Sequence, residues 1–270
     1  MKKALRLVGL AMVAVFCLAP FVWQVVTSLK PDAELLALPP LLPRHPTLVH
    51  YTAIFAEATF VRVIFNSAVV AAATTLLALT VGVLAAFALT FLRARGRTAI
   101  LAVILSVSMF PAIATVSPLF LLLNTLGLRD TLTALVLTYT TFTLPLAVWL
   151  LTNFFRTLPQ ELYIAARVDG YSAFGALRRV ILPLSMPGLL AAGLMVFIYS
   201  WNEFLFALSF TATDRARTIP VAIALFPGLH VVPWGEIAAA SVAVSLPLVL
   251  LAFVFQRRIV EGLTAGAVKG

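Results

Sequence analysis

Six long apolar stretches dominate the chain, at about residues 5–29, 63–92, 99–123, 132–155, 187–210 and 237–255. Each reaches the roughly 20 mostly apolar residues that a helix needs to cross a bilayer. Short polar connectors separate them, so the pattern predicts an all-α membrane protein: one domain over residues 1–270 with six transmembrane helices. The first stretch follows Lys2, Lys3 and Arg6 as a secretory signal would, but it is long and lacks a small-x-small cleavage site; it reads as a retained helix.

Composition agrees: 62% of the 270 residues are hydrophobic and 11% are charged, too few charges to clothe a soluble globule. Cys17, inside an apolar run, is the single cysteine, which excludes a disulfide framework and a Cys-based metal site. The net charge of +9 does not describe a nucleic-acid surface, because the basic residues are neither interleaved with stacking aromatics nor gathered in one domain.

Instead they mark the sides of a membrane. Thirteen of the 19 Lys and Arg fall in one set of connectors (Lys2, Lys3, Arg6; Arg93, Arg95, Arg97; Arg156, Arg167, Arg178, Arg179; Arg257, Arg258, Lys269), with only Glu161, Asp169 and Glu261 beside them. By the positive-inside rule that side is the cytoplasm, and it carries both termini. The first outer connector holds Pro31, Pro39, Pro40, Pro43 and Pro46 and should be irregular or extended. His45, His50 and His230 fall in outer connectors without metal-ligand spacing to nearby carboxylates, so no metal is assigned.

The connector from Pro159 to Pro187 carries the strongest signal. Glu161 to Val168 has helix-favouring composition, Asp169-Gly170 is a turn dipeptide, and Ser172 can cap a second helix through Arg179. Tyr171, Phe174, Leu177 and Ile181 recur three or four apart and give that second helix an apolar stripe. Such a stripe on the cytoplasmic side needs a cover, and lipid headgroups or a partner protein would both serve.

This connector resembles the cytoplasmic loop of bacterial ATP-binding cassette (ABC) importer permeases, whose pattern is Glu-Ala-Ala, three residues, Gly, nine residues, Ile, one residue, Leu-Pro. Ala165, Ala166, Gly170, Leu182 and Pro183 fall on it, Val180 stands at the Ile position, and Asp169 and Pro187 match its commoner form. Two positions depart: Ile164 replaces the motif glutamate, and Tyr171 occupies a usually small site. The resemblance implies that this loop is the coupling helix pair seated in an ATP-hydrolysing subunit, which moves the fourth and fifth spans. The polar contact of the motif glutamate is not carried over.

Two further strings bear on the assignment. Trp201-Asn202-Glu203-Phe204 is similar to a string of the carbohydrate-type permeases, which makes Trp201, Asn202 and Glu203 candidate substrate-pathway residues: aromatic faces pack on sugar CH groups and amides bond hydroxyls. An aromatic-belt role for Trp201 and a helix–helix hydrogen bond or snorkelling for Glu203 are the alternatives. Glu203 is also the one ionisable residue well inside a span. The tail over residues 257–270 finishes in Gly262-Leu263-Thr264-Ala265-Gly266-Ala267-Val268-Lys269-Gly270, like chains of trehalose and maltose importers, and the resemblance places Gly262, Leu263, Thr264, Gly266 and Lys269 against the ATPase subunits.

No phosphate-cradling Gly-rich Lys-Ser/Thr loop is present, so the chain is expected to bind no cofactor, with ATP and Mg held by partner ATPase subunits. The resemblance implies a non-enzymatic permease subunit in the inner membrane of a prokaryote, working with a second homologous permease, two ATPase subunits and an extracytoplasmic sugar-binding protein that meets the connector 211–236. A permease for another solute remains open. An ion-coupled carrier would call for mid-membrane charges and inverted repeats, and an intramembrane enzyme for converging catalytic groups; neither pattern is evident.

Overall fold

The computed structural model describes residues 2–35, 41–92, 96–226 and 232–264; among these every regular element is helical. The helices are α1 (Lys2–Ser28), α2 (Asp32–Leu35), α3 (Val49–Ala56), α4 (Ala58–Phe91), α5 (Arg97–Ser108), α6 (Ala112–Thr125), α7 (Leu132–Phe155), α8 (Gln160–Val168), α9 (Ala173–Ala176), α10 (Leu182–Leu184), α11 (Met186–Asn202), α12 (Leu205–Phe210), α13 (Ile219–Ala224) and α14 (Trp234–Thr264), with a π-helical turn, Leu177–Ile181, between α9 and α10. They gather into two compact units, residues 1–64 with 219–249, and residues 65–218 with 250–270.

Four helices are long and apolar enough to cross a membrane alone, in α1, α4, α7 and α14; six spans result if each of two bent helix pairs counts as one. The predicted first, second, fourth and sixth spans thus appear as single helices. The predicted third span does not. It breaks between α5 and α6 with a bend of 86°. Pro111 stands at the break: it has no N–H to continue the ladder of α5, and its own ψ of 118° lies outside the helical region. The predicted fifth span is also divided, with α11 ending at Asn202 and α12 resuming at Leu205. In lipid such breaks are tolerated only where other groups satisfy the freed backbone.

In the first unit α1 has an apolar window with none of its residues buried, and Cys17 on it is exposed. In the second unit α11 and α5 both pack on α7. Small side chains serve the approach of α11, where Ala78 of α4, Ala147 of α7 and Val196 form one buried cluster. Toward the other end Val83, Phe87, Phe91, Leu151, Phe155 and Ala192 build a larger core, into which Leu177 and Ile181 of the π turn insert.

Candidate functional site

The segment 159–187 folds as a helix pair held to that core. Helix α8 ends in two hydrogen bonds, Tyr171 N–H to the Ala166 carbonyl at 3.0 Å and Gly170 N–H to the Arg167 carbonyl at 3.3 Å. This is a Schellman closure, which needs a left-handed residue after the helix. Gly170 supplies it with φ +87°, and the space where a Cβ would stand is open to 4 Å. Ser172 then caps the second helix by accepting from Gly175 N–H at 3.0 Å. Both turn devices sit where the sequence places them.

The second helix runs further than its expected end at Arg179, through the π turn to Leu184. The widened turn lies just ahead of Pro183, whose missing N–H leaves a gap in the ordinary ladder. At Ser185 the chain bends by 81° into α11, the first part of the divided fifth span. Ala173–Leu184 is therefore a short rod joined almost at right angles to the 17-residue helix α11.

The expected apolar stripe is divided between two faces. Leu177 and Ile181 turn inward, and Tyr163 of α8 packs edge-on against Phe87 at 5.7 Å and beside Phe91 at 5.6 Å. Gln160 Nε2 adds a hydrogen bond to the Thr90 carbonyl at 3.2 Å. Outward, Ile164 is 51% exposed, Val168 81% and Phe174 63%. Of the motif residues, Ala166 is buried, Val180 and Leu182 are half-buried, and Ala165, Asp169, Gly170 and Pro183 are exposed. Tyr171, bulky at a usually small position, is accommodated outside the core: Arg167 Nη1 bonds its carbonyl at 3.1 Å and the Arg179 guanidinium lies 5.4 Å from its ring centre.

Glu203 occupies the gap between α11 and α12 in an extended conformation, φ −67° and ψ 126°. Its side chain is buried, 9% exposed, and its two carboxylate oxygens accept from Phe206 N–H at 2.9 Å and Ala207 N–H at 3.1 Å. An acid inside a span thus restarts the helix, satisfying backbone donors that the break leaves open. Trp201 is buried and stacks on Phe197 at 5.6 Å. Asn202 alone of the three is exposed, with Nδ2 bonded to the Ile198 carbonyl at 2.8 Å. The structure brings the three together in sequence but not on one face.

Sequence reasoning missed the ties on the segment 211–218. Asp130, itself at φ 58°, accepts from Ala212 N–H at 2.8 Å, Thr213 N–H at 3.1 Å and Thr213 Oγ1 at 2.6 Å. Burial pushes the Asp130 carboxyl up, but the Thr213 hydroxyl, the two N–H groups and nearby Arg215 outweigh it and hold it below the usual carboxylate range. Asn66 Nδ2 reaches the carbonyls of Arg217 at 3.0 Å and Arg215 at 3.1 Å. The one available signal was Leu-Arg-Asp-Thr before α7, an ordinary cap string.

The histidines show no metal-ligand spacing along the chain, but the fold gives His50 two carboxylate neighbours. Asp32, His50 and Glu236, from three distant segments, bring ligand atoms within 4.8 Å of one another; spacing along the chain could not reveal this. His230 lies outside the described residues, as do Gly266 and Lys269 of the tail, while the backbone of Gly262, Leu263 and Thr264 closes α14.

A chain of apolar helices with a folded connector of this design is a multi-pass membrane component. Its sequence matches the family of binding-protein-dependent transport system inner membrane components over residues 78–264, and the chain belongs to that family. It is an ABC importer permease of the carbohydrate type, similar to the inner-membrane subunits of trehalose and maltose importers. The trehalose/maltose transport system permease protein of Thermococcus litoralis is 43% identical over 100% of this chain and 98% of its own length. The sulfoquinovosyl glycerol transport system permease protein of Agrobacterium fabrum is 41% identical over 99% and 94%, and the trehalose transport system permease protein of Mycobacterium tuberculosis 42% over 94% and 93%. A crystal structure of a bacterial ABC transporter that imports the acidic polysaccharide alginate contains a chain of the same fold, with a TM-score of 0.80 at 21% identity and 95% of both chains covered.

Proposed function

We propose that this chain is one permease subunit of an ABC sugar importer, forms half of the translocation pathway, and couples ATP hydrolysis on partner subunits to uptake of a disaccharide such as trehalose or maltose. The observation that carries the reading is the helix pair 160–184, locked by Gly170 and Ser172, anchored through Tyr163, Leu177 and Ile181, and bent by 81° into α11. A push on its outward face, where Ile164, Val168 and Phe174 stand, would reach the fifth span without being absorbed by a soft joint.

In this reading six spans cross the membrane with both termini in the cytoplasm. Ala165, Ala166, Asp169, Gly170, Val180, Leu182 and Pro183 form the coupling element, and the tail from Gly262 to Lys269 meets the ATPases. A second related permease, two ATPase subunits carrying ATP and Mg, and an extracytoplasmic sugar-binding protein complete the assembly. One solved alginate ABC transporter is in complex with a pentasaccharide-bound periplasmic protein, which supports the last partner by analogy of fold. Of the three pathway candidates we favour Asn202 for sugar contact; its exposure supports this, while Trp201 stacks on Phe197 and Glu203 accepts from backbone N–H groups. The names of the relatives, two of trehalose systems and one of a sulfoquinovosyl glycerol system, favour a glycoside over another solute.

The test is copurification of the tagged chain followed by ATPase assays with the binding protein. ATPase subunits should accompany the chain, and hydrolysis should rise with trehalose- or maltose-loaded binding protein. An assembly without an ATPase ends the reading. Stimulation by a non-sugar solute alone replaces the substrate class.

A further inference from the structure

Asp32 at the head of α2, His50 on α3 and Glu236 in the first turn of α14 meet within one unit of the fold. His50 is 1% exposed, and its two ring nitrogens have different surroundings. Nε2 lies 2.8 Å from the Lys30 carbonyl oxygen, which can only accept, so Nε2 carries the hydrogen of the neutral ring. Nδ1 is then left with a buried lone pair and no hydrogen-bond partner. Glu236 faces it with Oε1 at 3.5 Å, and Oε2 of the same carboxylate is likewise buried without a hydrogen-bond partner.

These features match the surroundings of a metal-bound imidazole. A ligating histidine donates its other ring N–H to a carbonyl or carboxylate, which fixes the tautomer and aims the free nitrogen at the cation; the Lys30 carbonyl serves that purpose here. The ring is held before any ligand arrives, because a Cβ on Gly235 would fall 2.2 Å from Cε1 and 2.3 Å from Nε2 and the imidazole fills the volume that glycine leaves open. The 3.5 Å between Nδ1 and Oε1 is long for a direct hydrogen bond. It is close to the edge of a tetrahedral shell, about 3.3–3.4 Å for metal–ligand bonds of about 2.0–2.1 Å. Asp32 stands at the rim with its side chain 80% exposed and Oδ1 3.9 Å from Nε2. One ligand atom from each of the three residues lies within 4.8 Å of the others, and rotation of the exposed Asp32 side chain closes the remaining distance.

We propose that His50 Nδ1, Glu236 and Asp32 bind one divalent transition-metal cation of the zinc class. A neutral imidazole with two carboxylates balances a 2+ charge, and the nitrogen ligand selects zinc over calcium or magnesium, which take oxygen shells. The bound cation staples the segment after α1 and helix α3 to the head of α14, three pieces that the sequence keeps far apart. The site rests on the geometry of this unit alone, and stands or falls independently of the transport reading.

The test uses the full chain, purified with the subunits that accompany it through a tag free of histidine, stripped with EDTA and dialysed against Zn(II). Elemental analysis should find about one more equivalent of zinc per chain in wild type than in His50→Ala or Glu236→Gln, and affinity measured against a competing chelator should fall by at least 10–100-fold, roughly the loss that a disturbed supporting contact alone produces. Asp32→Asn should weaken binding less, since it alters one exposed group at the rim. Co(II) in place of Zn(II) should give wild type a visible absorption band that Glu236→Gln lacks. Should the variants not assemble, the wild type decides: Zn(II) should raise its Tm and slow amide exchange over residues 49–56, and Ca(II) or Mg(II) at the same concentration should do neither. Equal zinc content in wild type and variants, or displacement by Ca(II) at equal concentration, overturns the assignment. So does a wild type indifferent to zinc, in which case a water molecule bridges Nδ1 and Glu236 instead.

Discussion

Substitution of Gly170 tests backbone conformation within this chain, because the space beside it is open. The residue sits at φ +87°, and an added Cβ would meet nothing within 4 Å. Within this chain, replacement by a residue as small as Ala therefore costs conformational energy without a clash. An ordinary L-residue held in the left-handed region loses about 1–2 kcal/mol, which lowers the population of the closed turn by roughly 5–30-fold. Asn tolerates this region better than Ala, and a β-branched Val tolerates it least. The order Gly, Asn, Ala, Val should hold for binding-protein-stimulated ATP hydrolysis by the assembled importer and for protection of residues 160–184 from proteolysis. Membrane insertion should stay the same throughout, because no span is touched. If Asn proves as damaging as Val, or Val hydrolyses with normal coupling, positive φ is not what Gly170 contributes.

Three further outcomes follow from the site geometry. Glu203→Ala removes both acceptors of the Phe206 and Ala207 N–H groups and should cost about 1–3 kcal/mol, read as a lower Tm of the purified chain; Glu203→Gln, which keeps one acceptor, should cost less. Asp130 has a depressed folded-state pKa, so its stabilisation is full above the usual carboxylate range and is lost as pH falls through the depressed value; Asp130→Asn should flatten that acid limb in a pH series of Tm measurements. Asn202→Ala should weaken sugar transport with unchanged Tm, whereas Trp201→Ala should lower Tm by stripping a buried stacked ring from Phe197. Equal behaviour of the two variants would refute the division of roles.

The long helices were legible because an apolar run is marked by its own composition: 132–155 coincides with α7. The helix–turn–helix of 160–184 was legible too, since Gly170 and Ser172 act on neighbours within five residues. The break at Pro111 has a visible residue behind it, yet an apolar run of span length hides whether proline kinks a helix or ends it, as Pro145 lies inside unbroken α7.

Local chemistry was thus written in the chain, while everything that depends on a facing surface waited for the tertiary structure. Leu177 and Phe174 belong to one stripe by spacing, but only the core of Phe87, Phe91 and Phe155 decides that Leu177 is buried and Phe174 is not. The composition of its span left the surroundings of Glu203 open, and only the structure shows its carboxylate accepting from the Phe206 and Ala207 N–H groups. His50 and Glu236 lie at opposite ends of the sequence, and no periodicity links them. Their meeting is set by how α3 and α14 pack, because burial energy depends on which surfaces touch and the order of residues does not record that.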